Sequence, residues 1–423
     1  MHLSLNVIGD AFADVYCYLG DANLPAPGGD ARLVQPMHAV AGGSGVNTAT
    51  HLASLLRHFW TADADEGPHR VHLQTVVDES DGHGQLILSH CGRHGVHVVN
   101  RRASHLSGRP EEETSTGHCA VIVSKGDRSF MTHLGCMADF RGSQVLTNFL
   151  DERLSTHHHV HIAGYYNIEG EIPRKDGTVR SHIHTVGLTR NGVAGFWNGE
   201  LEGRLREMRE TQDRTKQKLT MSLVPQHDAT DAWDGGLLRL LPYLDFLILN
   251  EVEAKHMTKF PQNESEDGRL AFLWRALGFF SPYAPSKDDP SDFFCHVSNF
   301  FQHYERTCVI VTRGSKGAVA LYRGMMLRQS TVPEIGDPPD PTGAGDAFAA
   351  GFLHGYLRHR ADRGGNCDAI KMEAVEAGMQ WACAAGTCCV MVQGASVPAT
   401  KEILEQTRTG IANIAEREEE MAE

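Results

Sequence analysis

The sequence predicts an α/β fold with a mostly parallel central sheet covered on both faces by helices. Two observations carry that expectation. Short β-branched or apolar runs recur along the chain, and stretches with helical period fall between them. Strand–helix alternation needs crossover connections, and these lay helices on both faces of a parallel sheet. With 41% hydrophobic residues in 423, the chain can fill a large core. A length prior of roughly 150 residues per domain would allow two or three domains, yet one α/β domain with insertions fits equally well.

Taken in order, Leu5–Ile8, Val71–Val77, His159–Ala163, Phe246–Leu249 and Cys308–Thr312 read as buried strands. Asn47–Phe59, Gln144–Leu154 and Asp346–Arg360 read as helices. Two regions break the alternation. Residues 11–41 are rich in Gly, Pro and Asp, and residues 117–133 form two strand-like runs around a Gly-containing turn, as in a hairpin. Hairpins outside a parallel sheet suit a lid. Residues 62–70, 170–203 and 261–305 are polar or Pro-bearing and read as insertions into one domain spanning 1–423. The run Glu418-Glu419-Glu420 marks a solvated C-terminal helix.

The net charge of −14 argues against a nucleic-acid partner, because phosphate backbones are held by clustered Lys and Arg. Backbone N–H groups can still hold a single phosphate locally. No apolar stretch is long enough for a bilayer span. The first residues enter a strand-like run without a signal-peptide pattern. The ten cysteines show no zinc-like spacing, and Cys383, Cys388 and Cys389 sit in an Ala/Gly-rich helical stretch as small apolar residues. Among 25 histidines, the run His157, His158, His159, His161 leads into apolar residues and reads as the edge of a strand, not as a metal site. A reduced, cytoplasmic protein is expected.

Chemistry concentrates in Asp340-Pro341-Thr342-Gly343-Ala344-Gly345-Asp346, followed by a helix. Small residues let a ligand approach the backbone, and the first helical N–H groups lack internal partners, so the helix start favours negative charge. An Asp there can accept a proton while the amides meet charge on a transferring group. A capped Gly-rich turn would look the same in isolation. The second motif, Ala41-Gly42-Gly43-Ser44-Gly45-Val46-Asn47, also opens a helix and sets backbone amides beside an Asn amide.

In this order the two motifs resemble the signatures of the ribokinase-like (PfkB) carbohydrate kinase family. Gly9–Asp14 resembles its opening strand with a substrate-binding Asp. Asn250-Glu251-Val252-Glu253 resembles its Asn-x-x-Glu motif, and Thr312–Gly317 its nucleotide-side strand end. The resemblance spans residues 5–398. It implies a three-layer ribokinase-like sandwich with a small β lid, and transfer of phosphate from ATP to a hydroxymethyl group of a sugar or sugar derivative. It implies Asp346 as general base and Gly343, Ala344 and Gly345 as an anion hole. Asp14, Gly42, Gly43 and Asn47 would meet substrate hydroxyls. Asn250, Thr312, Gly314 and Gly345 would serve the nucleotide, together with the helix around Cys383–Thr387. Asn250 and Glu253 would organise Mg²⁺ through water. Many relatives bind a monovalent cation such as K⁺, for which Asp340, Thr342, Cys389, Gly394 and Ser396 hold the equivalent positions. A homodimer through the lid is the association implied.

The chain departs from ribokinase proper at Phe12 and Ser44, where that enzyme carries Asn and Lys, and an acidic residue is missing near Gly164-Tyr165-Tyr166-Asn167. The Asn expected near Leu223-Val224-Pro225 is also absent. Gly164-Tyr165-Tyr166 is similar to an aromatic step in adenosine kinases, which keeps a nucleoside acceptor in view. A silent kinase-fold scaffold is the remaining alternative, opposed by the intact Asp346, Asn250 and Glu253.

Overall fold

The computed structural model describes residues 2–60, 69–102, 115–125, 127–147, 156–168, 172–173, 179–180, 196–229, 233, 235–260, 290–331, 340–363 and 370–422. Most of the three expected insertions, and most of the helix expected over Gln144–Leu154, lie outside these residues. The described part of the third insertion includes a helix, Pro290–Phe301.

A nine-stranded sheet forms the centre. Its strands are β1 (His2–Gly9), β4 (Arg70–Thr75), β5 (Val96–Asn100), β8 (Thr156–Ala163), β9 (Lys218–Val224), β10 (Phe246–Asn250), β11 (Cys308–Thr312), β12 (Ala318–Tyr322) and β13 (Met325–Gln329). The spatial order is β13-β12-β11-β10-β9-β8-β1-β4-β5. From β11 to β5 every pairing is parallel, while β12 and β13 add an antiparallel edge. Parallel strands covered on both faces bury successive residues, as Leu3, Leu5, Val7 and Ile8 show in β1. The connecting helices are α1 (Ser44–Phe59), α2 (Gly82–His94), α3 (Glu200–Thr215), α4 (Glu251–Thr258), α5 (Pro290–Phe301), α6 (Ala344–Asp362), α7 (Met372–Val390) and α8 (Lys401–Ala422). Helices α1, α6, α7 and α8 pack on one another in sequence as one layer. Among the described residues no helix is long and apolar enough to cross a membrane.

The two regions that broke the alternation meet in a separate four-stranded sheet. Strands β2 (Phe12–Gly20) and β3 (His38–Gly42) come from the first, β6 (His118–Ser124) and β7 (Asp127–His133) from the second, in the order β3-β2-β6-β7. Tyr16, Tyr18, Cys119 and Val121 give this sheet its own small core.

The histidine run lies in a central strand, not at an edge, since β8 pairs with β1 on one side and β9 on the other. Alternation turns His157, His159 and His161 to one face. There they hydrogen-bond in series with the β9 hydroxyls: His157 Nε2 with Thr220, His159 with Thr220 and Ser222, and His161 Nδ1 with Ser222, at 2.7–3.3 Å. Burial pushes His157 and His161 down to about 3, so these rings are neutral and act as hydrogen-bonding wedges between strands.

Helix α3 is tied to the sheet by a buried ion pair. Arg209 donates to Asp245 Oδ2 at 2.6 Å and to the Tyr243 and Leu219 carbonyls, while Asp245 Oδ2 also accepts the Met221 N–H at 2.7 Å. Removing Arg209 leaves the buried Asp245, among the described residues, with only the half-exposed Arg306, 3.3 Å away, to offset its charge. Arg209→Leu should therefore lower stability by about 3–5 kcal/mol in denaturant titration. Arg209→Leu combined with Asp245→Leu should recover part of the loss, and an unchanged midpoint for the single variant would contradict this account.

Candidate active site

Five strands of the large sheet end on the same edge, and the outlets of parallel strands are where α/β folds place ligands. There β1 delivers Asp10, the turn after β8 delivers Asn167, the turn after β9 delivers Gln226, β10 ends in Asn250 and β11 in Thr312. The small sheet adds Asp14, and helices α1 and α6 point their N-termini into the same space.

Asp346 is in the first turn of α6 and is only 4% exposed. Gly343 caps this helix at φ 79° with no side chain, and a Cβ there would meet Ala395 at 2.6 Å. Glycine is thus required by both backbone and space. The helix start is left uncapped by any side chain, with Gly345 exposed beside it. Three donors hold the Asp346 carboxylate: Ser44 Oγ at 2.6 Å and Gln226 Nε2 at 2.9 Å on Oδ1, and Asn47 Nδ2 at 2.9 Å on Oδ2. Burial pushes its pKa up to about 7 against those donors, with the charge of Asp10 adding to the rise. A carboxyl that gives up its proton near neutrality suits a general base.

Asp14 lies against Gly42, where a Cβ would fall 1.9 Å from Oδ2, so the strand β3 residue must be glycine for the carboxylate to fit. Burial, then the charges of Asp10, Asp346 and Asp340, push Asp14 up to about 7. Asn47 gives its amide N–H to Asp346, while its Oδ1 is buried with no hydrogen-bond partner. Gly43, at φ 90°, caps α1. Asp10 accepts the Gly45 N–H at 3.0 Å and the Asn167 amide at 2.6 Å, and burial raises it to about 6.

Asn250 and Glu253 close a capping box on α4: Asn250 Oδ1 accepts the Glu253 N–H and Glu253 Oε2 accepts the Asn250 N–H. Burial and then the Asp346 charge raise Glu253 to about 7. Thr312 pairs with Asn250 across the sheet, and Gly314 has open space around its Cα. Helix α7 brings Cys383–Thr387 alongside, and a Cβ on Gly386 would lie 3.3 Å from the Ala344 carbonyl. Asp340, Thr342, Cys389, Gly394 and Ser396 meet beneath the start of α6. There Asp340 accepts the Thr342 N–H on Oδ1 and the Gly394 N–H on Oδ2, Cys389 Sγ donates to the Thr342 carbonyl, and Ser396 Oγ donates to the Ala41 carbonyl.

Tyr165 and Tyr166 do not face the site: they are 1% and 2% exposed, packed in an aromatic cluster with Phe196, Trp197 and Trp233. The left-handed Gly164 (φ 69°) turns the chain so that the tyrosines go inward, where the Tyr165 hydroxyl donates to the Gly235 carbonyl, and only Asn167 reaches Asp10. Asp10, Ser44 and Gln226 are site residues that the motifs did not single out. Gln226 was signalled only by following a strand whose C-terminal end opens on this edge.

In comparison with known proteins, the pfkB family carbohydrate kinase profile covers the part of the chain that holds Asn250, Glu253 and the whole Asp340–Asp346 motif. Residues 201–402 match the PfkB family. Among its PfkB-type relatives, an adenosine kinase of Schizophyllum commune is 23% identical over 245 residues, covering 58% of each chain. A cytidine kinase of Thermococcus kodakarensis is 49% identical over 53 residues, 12% of this chain and 19% of that one. The matches thus span about half or less of these curated relatives. The ribokinase of Giardia lamblia has a TM-score of 0.63 at 16% identity, covering 96% of this chain and 99% of that chain. That likeness shows a shared fold, including the small sheet beside the large one.

Proposed function

We propose that this chain is an ATP-dependent phosphotransferase acting on the hydroxymethyl group of a sugar or sugar derivative. One observation carries the reading: a buried carboxylate, Asp346, held by three donors beside an uncapped helix start, with a pKa near neutrality. In the proposed reaction Asp346 takes the proton of the acceptor alcohol as its oxygen attacks the γ-phosphorus, the bond from that phosphorus to the β,γ-bridging oxygen breaks, and ADP leaves. The first-turn amides of α6 (Gly343, Ala344, Gly345) meet the charge on the phosphoryl oxygens. Ser44 and Gln226 fix the carboxylate's orientation. Asp14 and the unpartnered Asn47 Oδ1 are acceptors placed for other hydroxyls of the substrate, because a buried acceptor without a donor is costly until a ligand supplies one. Gly42 and Gly43 leave room for it. Thr312, Gly314 and the Cys383–Thr387 turn of α7 would border the nucleotide.

The donor set suits a hydrated divalent ion. Glu253 and Asp346 are buried acids, and the charge of Asp346 raises the proton affinity of Glu253, a field that a cation relieves. Asn250 and Glu253 would hold Mg²⁺ through its water shell, and the ion would neutralise phosphate oxygens. The exposed Val34, Met37, Phe130 and Met131 on the small sheet and its loop favour a homodimer through the lid.

A nucleoside acceptor is the second reading, favoured by the adenosine and cytidine kinases among the relatives. It would present the same primary alcohol to Asp346. Buried Tyr165 and Tyr166 offer no stacking face to a base, which is why the sugar reading leads. ADP release measured against ribose, ketohexoses, sugar acids, adenosine and inosine separates the two. Turnover of sugars is expected, turnover of nucleosides alone would transfer the assignment to the second reading, and no turnover on any acceptor would overturn both.

A further inference from the structure

We infer that the guanidinium of Arg128, carried by the small sheet, fills the place beneath the anion hole that a monovalent cation would otherwise take, so that the chain supplies this charge itself. The inference rests on the proposed kinase reading only for its consequence in catalysis.

Asp340 enters helix α6 and is 3% exposed. A carboxylate that deeply buried needs a compensating positive charge. Arg128, near the tip of the β6–β7 hairpin, provides it, with Nη2 2.8 Å from Asp340 Oδ1 and a side chain only 9% exposed. Among the described residues, the other groups around Asp340 are neutral and bonded within the protein. The Thr342 carbonyl accepts the Cys389 thiol at 3.6 Å, and burial holds that thiol neutral by pushing it up to about 12. The Ser396 hydroxyl donates to the Ala41 carbonyl at 2.7 Å, and the Ala395 carbonyl accepts His51 Nε2 at 2.9 Å, each keeping a lone pair that an ion could use only once the guanidinium is gone. Gly394 turns its N–H, not its carbonyl, to Asp340 at 3.0 Å. A hard cation gathers about six or more oxygens, and with the guanidinium seated on Asp340 Oδ1 such a shell has no access to that carboxylate oxygen.

A guanidinium differs from a free ion in being tethered. Its arrival depends on the small sheet lying over the loop, where the Gln393 amide, next to Gly394, also donates to the Tyr18 hydroxyl. Charge compensation of the loop that begins α6 and closure of the small sheet are thereby one event. Arg128 acts as a positioning residue for the anion hole through Asp340.

The test is thermal unfolding of the whole chain in potassium chloride and in tetramethylammonium chloride at equal ionic strength. The unmodified protein is expected to show the same Tm in both salts. Arg128→Ala is expected to lose several degrees in tetramethylammonium and to regain part of that loss in potassium, because the freed Asp340 can then take an ion. Arg128→Gln keeps reach without charge and is the second variant should Arg128→Ala fail to fold. A potassium-selective rise in the Tm of the unmodified protein would overturn the inference, as would folded variants that lose stability with no response to potassium. These readings do not involve turnover, so an absence of kinase activity would sink the proposed function and leave this result standing.

Discussion

Asp346→Asn is expected to lower kcat by about 10²–10⁴-fold, the usual worth of a general base, equivalent to about 3–5 kcal/mol of barrier. The chain should still fold and bind ATP. The substitution is isosteric, and Ser44 and Gln226 can go on donating to the remaining oxygen. The new amide faces the Asn47 amide, two donors at 2.9 Å, but Asn47 relieves this by turning over and offering the Oδ1 that now lacks a partner. What is lost is the proton acceptor, together with the Asn47 Oδ1 placed for a substrate hydroxyl, so the acceptor KM should rise as kcat falls. Coupled assay of turnover, with ATP-dependent thermal stabilisation as the control for binding, separates the two effects. A rate above about a tenth of the original would show that the proton leaves by another route.

The central sheet and the glycine-rich helix start that carries Asp346 were legible because both are written locally. A parallel strand buried on both faces must be apolar along its length, and a helix start that holds phosphate must be small and glycine-rich. The partners of the base were less legible. Ser44 read as the loss of a lysine, yet its hydroxyl bonds Asp346 from a position 302 residues away. Gln226 and Arg128 are ordinary polar residues until the fold carries one to the base and the other to Asp340. The direction of Tyr165 and Tyr166 was not legible, because the left-handed Gly164 decides which way they point and a sequence does not show that angle. The helix expected from Gln144 gives way, where described, to a short 3₁₀ turn, Gly142–Gln144. Beyond it, Leu146 spends both its N–H and its carbonyl on the Gln74 amide, which withdraws them from a helical ladder.

The unliganded protein should become less stable as pH rises toward neutrality, while its activity should increase. Asp14, Asp346 and Glu253 are pushed up to about 7, and Asp10 to about 6, chiefly by burial. The folded chain therefore binds protons more tightly than the unfolded chain, whose carboxyls titrate near 4. Stability from these groups is fully present below that value and is lost as pH climbs through the folded pKa values, then levels off. They titrate as a coupled set, so the macroscopic steps belong to the cluster. The proposed reaction requires the opposite state, with Asp346 ionised, and kcat/KM should climb over the same interval. Asp14→Asn separates the two. It removes a carboxylate that burial and three neighbouring acids oppose, so the variant should gain on the order of a few kcal/mol over the parent at pH 8 and little at pH 4. Its acceptor KM should rise sharply, because the amide presents one acceptor oxygen in place of two. Denaturant midpoints at the two pH values measure the first effect and acceptor titration the second. Equal destabilisation at both pH values would mean that Asp14 serves the fold by packing against Gly42, and the link between strain at this site and substrate binding would fail.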